Sequence, residues 1–200
     1  MKHFRHLRLR CERGQSLVEM ALILPVLLII VVGTLEFGFI FDHHLSLEYA
    51  TREGARAGAA LAHGGTGPPT CTGAADVDPR IIAAVQRVLT SPGSPVASNL
   101  SEVEEIRIYD AGLDGEQAGG ANTWEYAAGL GPVVDGIALN FRPVSTGWPA
   151  CTRNNSAVGT DSIGVSITYS YEYQTPFRIV AGASTMTMTD ETVMQLNPTN

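Results

Sequence analysis

Cysteine is scarce in this 200-residue chain. There are three, Cys11, Cys71 and Cys151, with neither C-x-x-C spacing nor the Cys/His spacing of a metal site. Basic side chains are scarce after residue 14, where 8 stand against 19 acidic ones, a net of −11. A body of that sign is a poor partner for nucleic acid, and none is expected. Five histidines occur, and none stands with a nucleophile in a catalytic spacing. Gly119-Gly120 lacks the context of a phosphate-binding loop. Asp110, Asp114 and Glu116 gather carboxylates among glycines but miss the EF-hand spacing, so they read as a solvated turn. The chain therefore reads as a non-enzyme that needs no cofactor.

What the chain does have is one long apolar run near its start. Residues 20–41 are 22 in number, and at ~1.5 Å per residue they span ~33 Å, about one hydrocarbon thickness. The first 14 residues hold five basic side chains against Glu12, a net of +4. Lys and Arg beside a span stay on the cytoplasmic side, which predicts a cytoplasmic N-terminus and a body exported to the periplasm or cell exterior. A secretory signal peptide shares the basic start. Its apolar core is only ~7–15 residues long, however, and no small-x-small site follows this run directly. A retained single-pass helix, in contact with the lipid bilayer, is the expectation.

The predicted organisation is α+β in four parts: a basic leader over 1–14, a transmembrane and extended helix over 15–62, a Gly/Pro linker over 63–75, and an exported domain over 76–200. Ser16 and Glu19 form an S-x-x-E capping box, and Pro25 should kink or loosen the helix. Leu45, Tyr49, Arg52 and Arg56 continue the helical spacing, with Glu48–Arg52 a favourable surface pair. His43-His44 read as an interfacial polar pair where the helix leaves the membrane. A helix of roughly 70 Å is over twice a membrane thickness, so it must lean on its own domain or on neighbouring copies.

In the body, Asp78-Pro79 predicts the N-cap and first turn of a short helix that buries Ile81, Ile82, Val85, Val88 and Leu89 and ends near residues 91–93. A strand is expected over 103–110, then a glycine-rich stretch with an Asp114-Gly115 turn, and a weaker strand over 135–142. Residues 163–173 alternate perfectly, predicting a strand with one buried and one wet face, paired antiparallel with a strand over 184–193. Cys71 and Cys151 fall in the exported part, and their pairing would close an 80-residue interval. Chain entropy assigns such a loop ~4 kcal/mol.

Two carboxylates bracket the apolar run, Glu19 and Glu36. A plain anchor needs neither, and an intramembrane acid is a functional hypothesis by default. The segment R-G-Q-S-L-V-E-M-A-L-I-L-P-V-L-L-I-I-V-V-G-T-L-E-F-G, continued by E-Y-A-T-R-E-G-A-R-A-G, resembles the N-terminus of TadE-like proteins, the pseudopilins of tight-adherence (Flp-type) pilus assembly. Met20 stands where an aromatic residue is common in that family, and Phe39 where a basic one is frequent. The resemblance implies cleavage by a prepilin peptidase between Gly14 and Gln15. Glu19 would then be the fifth residue, able to neutralise the new α-amine of a neighbouring subunit, a pairing that offsets burial of the carboxylate. It also implies an assembly role for Glu19 and Glu36. The implied partners are other pilin-like subunits and the inner-membrane platform proteins of the machine. The rival reading is a membrane-tethered binding module with an unprocessed anchor.

Overall fold

The computed structural model describes residues 12–61, 76–156 and 159–198. Most of the basic leader, the whole Gly/Pro linker and Cys71 lie outside the described residues. The architecture is α+β: one long helix leads into a two-layer domain of helices on an antiparallel sheet.

Helix α1 runs Glu12–Leu61, 50 residues, and continues through Pro25. Because it is already helical at Glu12, Ser16 and Glu19 lie inside it, and the predicted capping box does not mark its start. At ~1.5 Å per residue α1 is ~75 Å long. It leans on its own domain. A stripe at alternating i+3 and i+4 steps is buried: Gly33, Glu36, His43, Leu47, then Ala50-Thr51, Gly54-Ala55 and Gly58-Ala59. The spacing noted at Tyr49, Arg52 and Arg56 is the opposite, wet face, where Arg52 pairs with Glu48 at 2.5 Å.

Helix α2 (Val77–Leu89) buries Val77, Ile81, Ile82, Ala84, Val85 and Leu89 against α1 and the sheet. Its N-cap is Asp76, without a side-chain capping bond, and not Asp78. The Asp78 carboxylate is drawn away by Arg153 and Asn122, which offer it stronger charge-assisted bonds.

The sheet holds β1 (Val103–Ala111), β2 (Gln117–Tyr126), β5 (Phe141–Thr146), β6 (Ser162–Glu172) and β7 (Thr185–Gln195) in the order β5-β2-β1-β6-β7. A two-stranded ribbon, β3 (Val133–Val134) with β4 (Ile137–Ala138), stands apart, and a short helix α3 (Arg178–Ala181) sits between β6 and β7. All pairings are antiparallel, including β6 with β7 in the register Tyr171↔Met186 to Gly164↔Val193.

One strand expectation is extended and another corrected. The glycine-rich stretch turns through Asp114-Gly115 as expected and then enters β2, which begins at Gln117. A side chain at Gly120 would sit 2.1 Å from the Gly147 carbonyl oxygen, so the glycine is what lets the strand pass there. Residues 135–142 are not one strand; a turn through Asp135 (φ 50°) and Gly136 (φ 82°) separates β3 from β4, and β5 starts only at Phe141.

Strand β6 also departs from the one-wet-face pattern. Ile163, Val165, Ile167, Tyr169 and Tyr171 are buried as the alternation predicts, but Gly164 and Ser166 are buried too. As the strand between β1 and β7 it is covered on its second face by its neighbours: the Tyr109 ring would lie 2.2 Å from a Cβ at Gly164. Burial raises the pKa of the Tyr109 phenol, and its bond to the Glu191 carboxylate at 3.0 Å adds to the shift.

The contacts of α1 with α2 and with the sheet depend on small residues. A Cβ on Gly54 would lie 2.6 Å from Val85 Cγ2, and one on Gly58 would lie 2.5 Å from Ile163 Cδ1. Gly54→Leu is expected to destabilise the domain by about 2–3 kcal/mol through overpacking, whereas Tyr49→Ala on the wet face changes it by less than about 0.5 kcal/mol. Denaturant unfolding of the detergent-solubilised chain, followed by near-UV circular dichroism, separates the two. Equal effects would refute the packing assignment.

Candidate functional site

The N-terminal stretch that carries the resemblance is a bare helix. Every residue from Gly14 to Val31 is exposed, including Leu17 at 71% and Ile23 at 61%. Gln15 Nε2 donates to Glu19 Oε1 at 3.0 Å, one turn along the same exposed face. A helix this long and apolar can cross a membrane. Its large apolar side chains call for lipid or other helices around them.

Glu36 is the opposite case. It is fully buried, and four donors of one chain segment converge on it. Its Oε1 accepts from the Tyr171 hydroxyl at 2.5 Å and the Gln174 amide at 3.0 Å; its Oε2 accepts from the Thr175 amide at 2.8 Å and from the Thr175 hydroxyl. The geometry follows from local sequence. Strand β6 delivers Tyr171 at its end, and the β6–β7 connection then turns its amides towards α1. Thr175 Oγ1 also accepts from the Phe177 amide at 3.2 Å, closing the turn around Pro176. Burial raises the Tyr171 pKa, and the hydrogen bond and charge of Glu36 reinforce the shift. Hydrogen bonds to an ionised group are each worth about 1.5–3 kcal/mol, so four donors offset burial of the carboxylate without a cation.

Aromatic rings extend this junction along α1. His43 is buried rather than interfacial: its Nδ1 lies 2.8 Å from the Phe39 carbonyl oxygen, and its ring meets Tyr171 edge-on at 4.9 Å. Tyr173 bridges Tyr171 and Phe177 at 5.9 and 6.2 Å, and Phe177 reaches Phe37 at 6.3 Å. About two turns beyond His43, the Thr51 hydroxyl donates to Asp190 Oδ2 at 2.5 Å and lies 3.0 Å from Thr192 Oγ1. Burial raises the Asp190 pKa, against the opposing pull of the Thr51 bond.

A second polar cluster lies at the start of α2. The buried Arg153 Nη2 donates to Asp78 Oδ1 at 2.6 Å, and its guanidinium stacks 4.5 Å over the Trp148 ring. Asn122 donates to Asp78 Oδ2 at 2.6 Å and to the Trp148 carbonyl at 2.8 Å, and accepts from the Trp148 amide at 2.7 Å. This cluster pins the segment around Trp148 to β2 and α2. Cys151 beside it is buried.

Comparison with known families locates the resemblance. Residues 14–56 match the family model of TadE-like protein. The N-terminal segment is TadE-like. The TadE-like match begins at Gly14 and takes in Glu19, Glu36, His43 and Gly54, so it spans both the bare helix and the stripe that docks on the sheet. The TadE-like family is a structural family associated with tight-adherence pilus assembly. No curated protein and no solved structure matches the chain.

The sequence-predicted site residues are thus dispersed. Gly14, Gln15 and Glu19 lie on the exposed helix, Glu36 on the buried stripe and Cys151 near Trp148; Cys71 is outside the described residues. Sequence reasoning missed Tyr171, Thr175, Arg153 and Asn122 as partners. Only the buried Tyr171 had a signal, as the inward position of an alternating strand end.

Glu36→Ala should leave the Tyr171 hydroxyl and two loop amides without an acceptor, costing about 3 kcal/mol. The expected local readout is faster hydrogen exchange at the Gln174 and Thr175 amides, while the Glu48→Ala control leaves them unchanged. Unaltered exchange in Glu36→Ala would refute Glu36 as the acceptor of those amides.

Proposed function

We propose that this chain is a minor pilin-like structural component of a tight-adherence pilus assembly or secretion machine, anchored by α1 with its sheet domain exported. The observation that carries this reading is the coincidence of the TadE-like match with a helix whose first half is apolar and exposed. Such a surface works by helix packing in the membrane or in a short pseudopilus. The +4 leader keeps the N-terminus cytoplasmic, where a prepilin peptidase cuts between Gly14 and Gln15. The new α-amine of one subunit then pairs with Glu19 of a neighbour, in place of the Gln15 contact Glu19 makes within the chain. Other pilin-like subunits and the platform proteins are the partners. Glu36 contributes to assembly by holding the exported domain at a defined angle to the packing helix. Cys71 pairs with Cys151 in the oxidising compartment, bracing the linker to the domain.

Intact-mass analysis of protein purified from cells containing the peptidase should find a chain beginning at Gln15. Gly14→Ala should retain Met1, and a non-reducing peptide map of the same sample should link Cys71 to Cys151. A native chain that keeps Met1 would instead assign an uncut anchor and a membrane-tethered binding module. Glu19→Ala is expected to insert into the membrane normally and to fail to co-purify with cross-linked pilin-like subunits. Unchanged cross-linking would eliminate the amine pairing.

A further inference from the structure

The base of the sheet domain meets α1 at a level where the helix is still apolar. Counted from Met20, where the apolar run begins, Phe37 lies ~26 Å along a helix rising ~1.5 Å per residue. A hydrocarbon core ~30 Å thick therefore ends about three residues later, near Ile40. Just short of that level Phe177 packs on α1, its ring centroid 6.3 Å from that of Phe37 and its edge 3.4 Å from where a Cβ on Gly33 would be. The sides of α1 that the domain leaves uncovered carry exposed Leu35, Phe37, Phe39 and Phe41, so the apolar surface of the span continues past the point where the domain begins. Helix α3 follows Phe177 directly, and it presents Ile179 at 80% exposure and Val180 at 57%.

The connection is also built for a place short of water. The amides of Gln174 and Thr175 donate to Glu36. Those of Ile179, Val180, Ala181 and Gly182 donate to carbonyls of residues 176–178, at 2.8–3.0 Å. Irregular backbone beside lipid must satisfy its polar groups internally, and Glu36 supplies the acceptors the turn itself cannot.

We propose that the β6–β7 connection is a second membrane contact, in which Phe177, Ile179 and Val180 enter the outer bilayer interface beside α1. Arg178 stays at headgroup depth, its stem lying along the apolar surface. The occupant of this exposed face is lipid because the face continues the exposed apolar surface of α1 at the depth where the hydrocarbon ends. The domain thus stands on two supports, the spanning helix and this loop, which fixes its tilt against the membrane. The proposal rests on the membrane-anchored reading above.

Depth-dependent quenching in phosphatidylcholine vesicles with brominated acyl chains tests it, using the full chain with one added tryptophan. Ile179→Trp probes the loop, Leu27→Trp the span, and Leu113→Trp the exposed β1–β2 turn at the opposite end of the sheet. The native Trp124 and Trp148 are buried and give a common background. The expected result is a blue-shifted Ile179→Trp emission that brominated lipid quenches, as it does Leu27→Trp, with Leu113→Trp unaffected. If Ile179→Trp behaves like Leu113→Trp while Leu27→Trp is quenched, the loop lies in water and the proposal falls alone. Blue-shifted but unquenched emission places protein, such as a second copy, on the loop and also overturns it. An unquenched Leu27→Trp overturns the membrane reading itself, and this proposal with it.

Discussion

The Glu36 carboxylate can be buried because donors from the end of β6 and the turn beyond it converge on both of its oxygens. That convergence sets where along a ~75 Å helix the sheet domain sits. Sliding the sheet by one turn of α1 would strand the carboxylate in an apolar contact and leave a phenol and two amides without acceptors, a cost of several kcal/mol. The small-residue row from Ala50 to Gly58 permits close approach along the rest of the contact. Close approach alone does not choose a register; the carboxylate does.

One continuous helix thereby serves two surroundings. From Met20 to Val31 its whole circumference is exposed and apolar, and from Gly33 onward one stripe is core while the opposite side carries Tyr49, Arg52 and Arg56. The TadE-like match spans both parts, which makes physical sense. Since the domain grips the helix from Gly33 onward, before the apolar run has ended, no free stretch of helix separates the span from the domain. A flexible hinge there would have decoupled the two.

Much of this was legible in the chain. The apolar run, the alternation from 163 to 173 and the amphipathic residues of α2 report their own elements, because burial patterns of period 3.6 and 2 are local. The site was less legible. Glu36 stood out as a misplaced acid, yet its partners lie 135–139 positions away, and no local pattern connects them. His43 beside His44 suggested an interface because only the stripe reveals which of two adjacent helix positions faces the sheet. Asp78 was assigned to the helix cap for the same reason: its stronger claimant, Arg153, is 75 positions distant.

By itself the sequence determined that one helix is long and apolar enough to span a bilayer, that its leader and body differ in charge, and that an antiparallel sheet follows. These properties are sums or short-range periodicities, which hydration alone dictates. Only the tertiary structure decided the role of Glu36, the burial of Gly164 and Ser166 on the second face of β6 and the placing of Phe177 against Gly33. Each depends on which remote groups arrive at the same point. A buried charge is tolerable only if such groups do arrive.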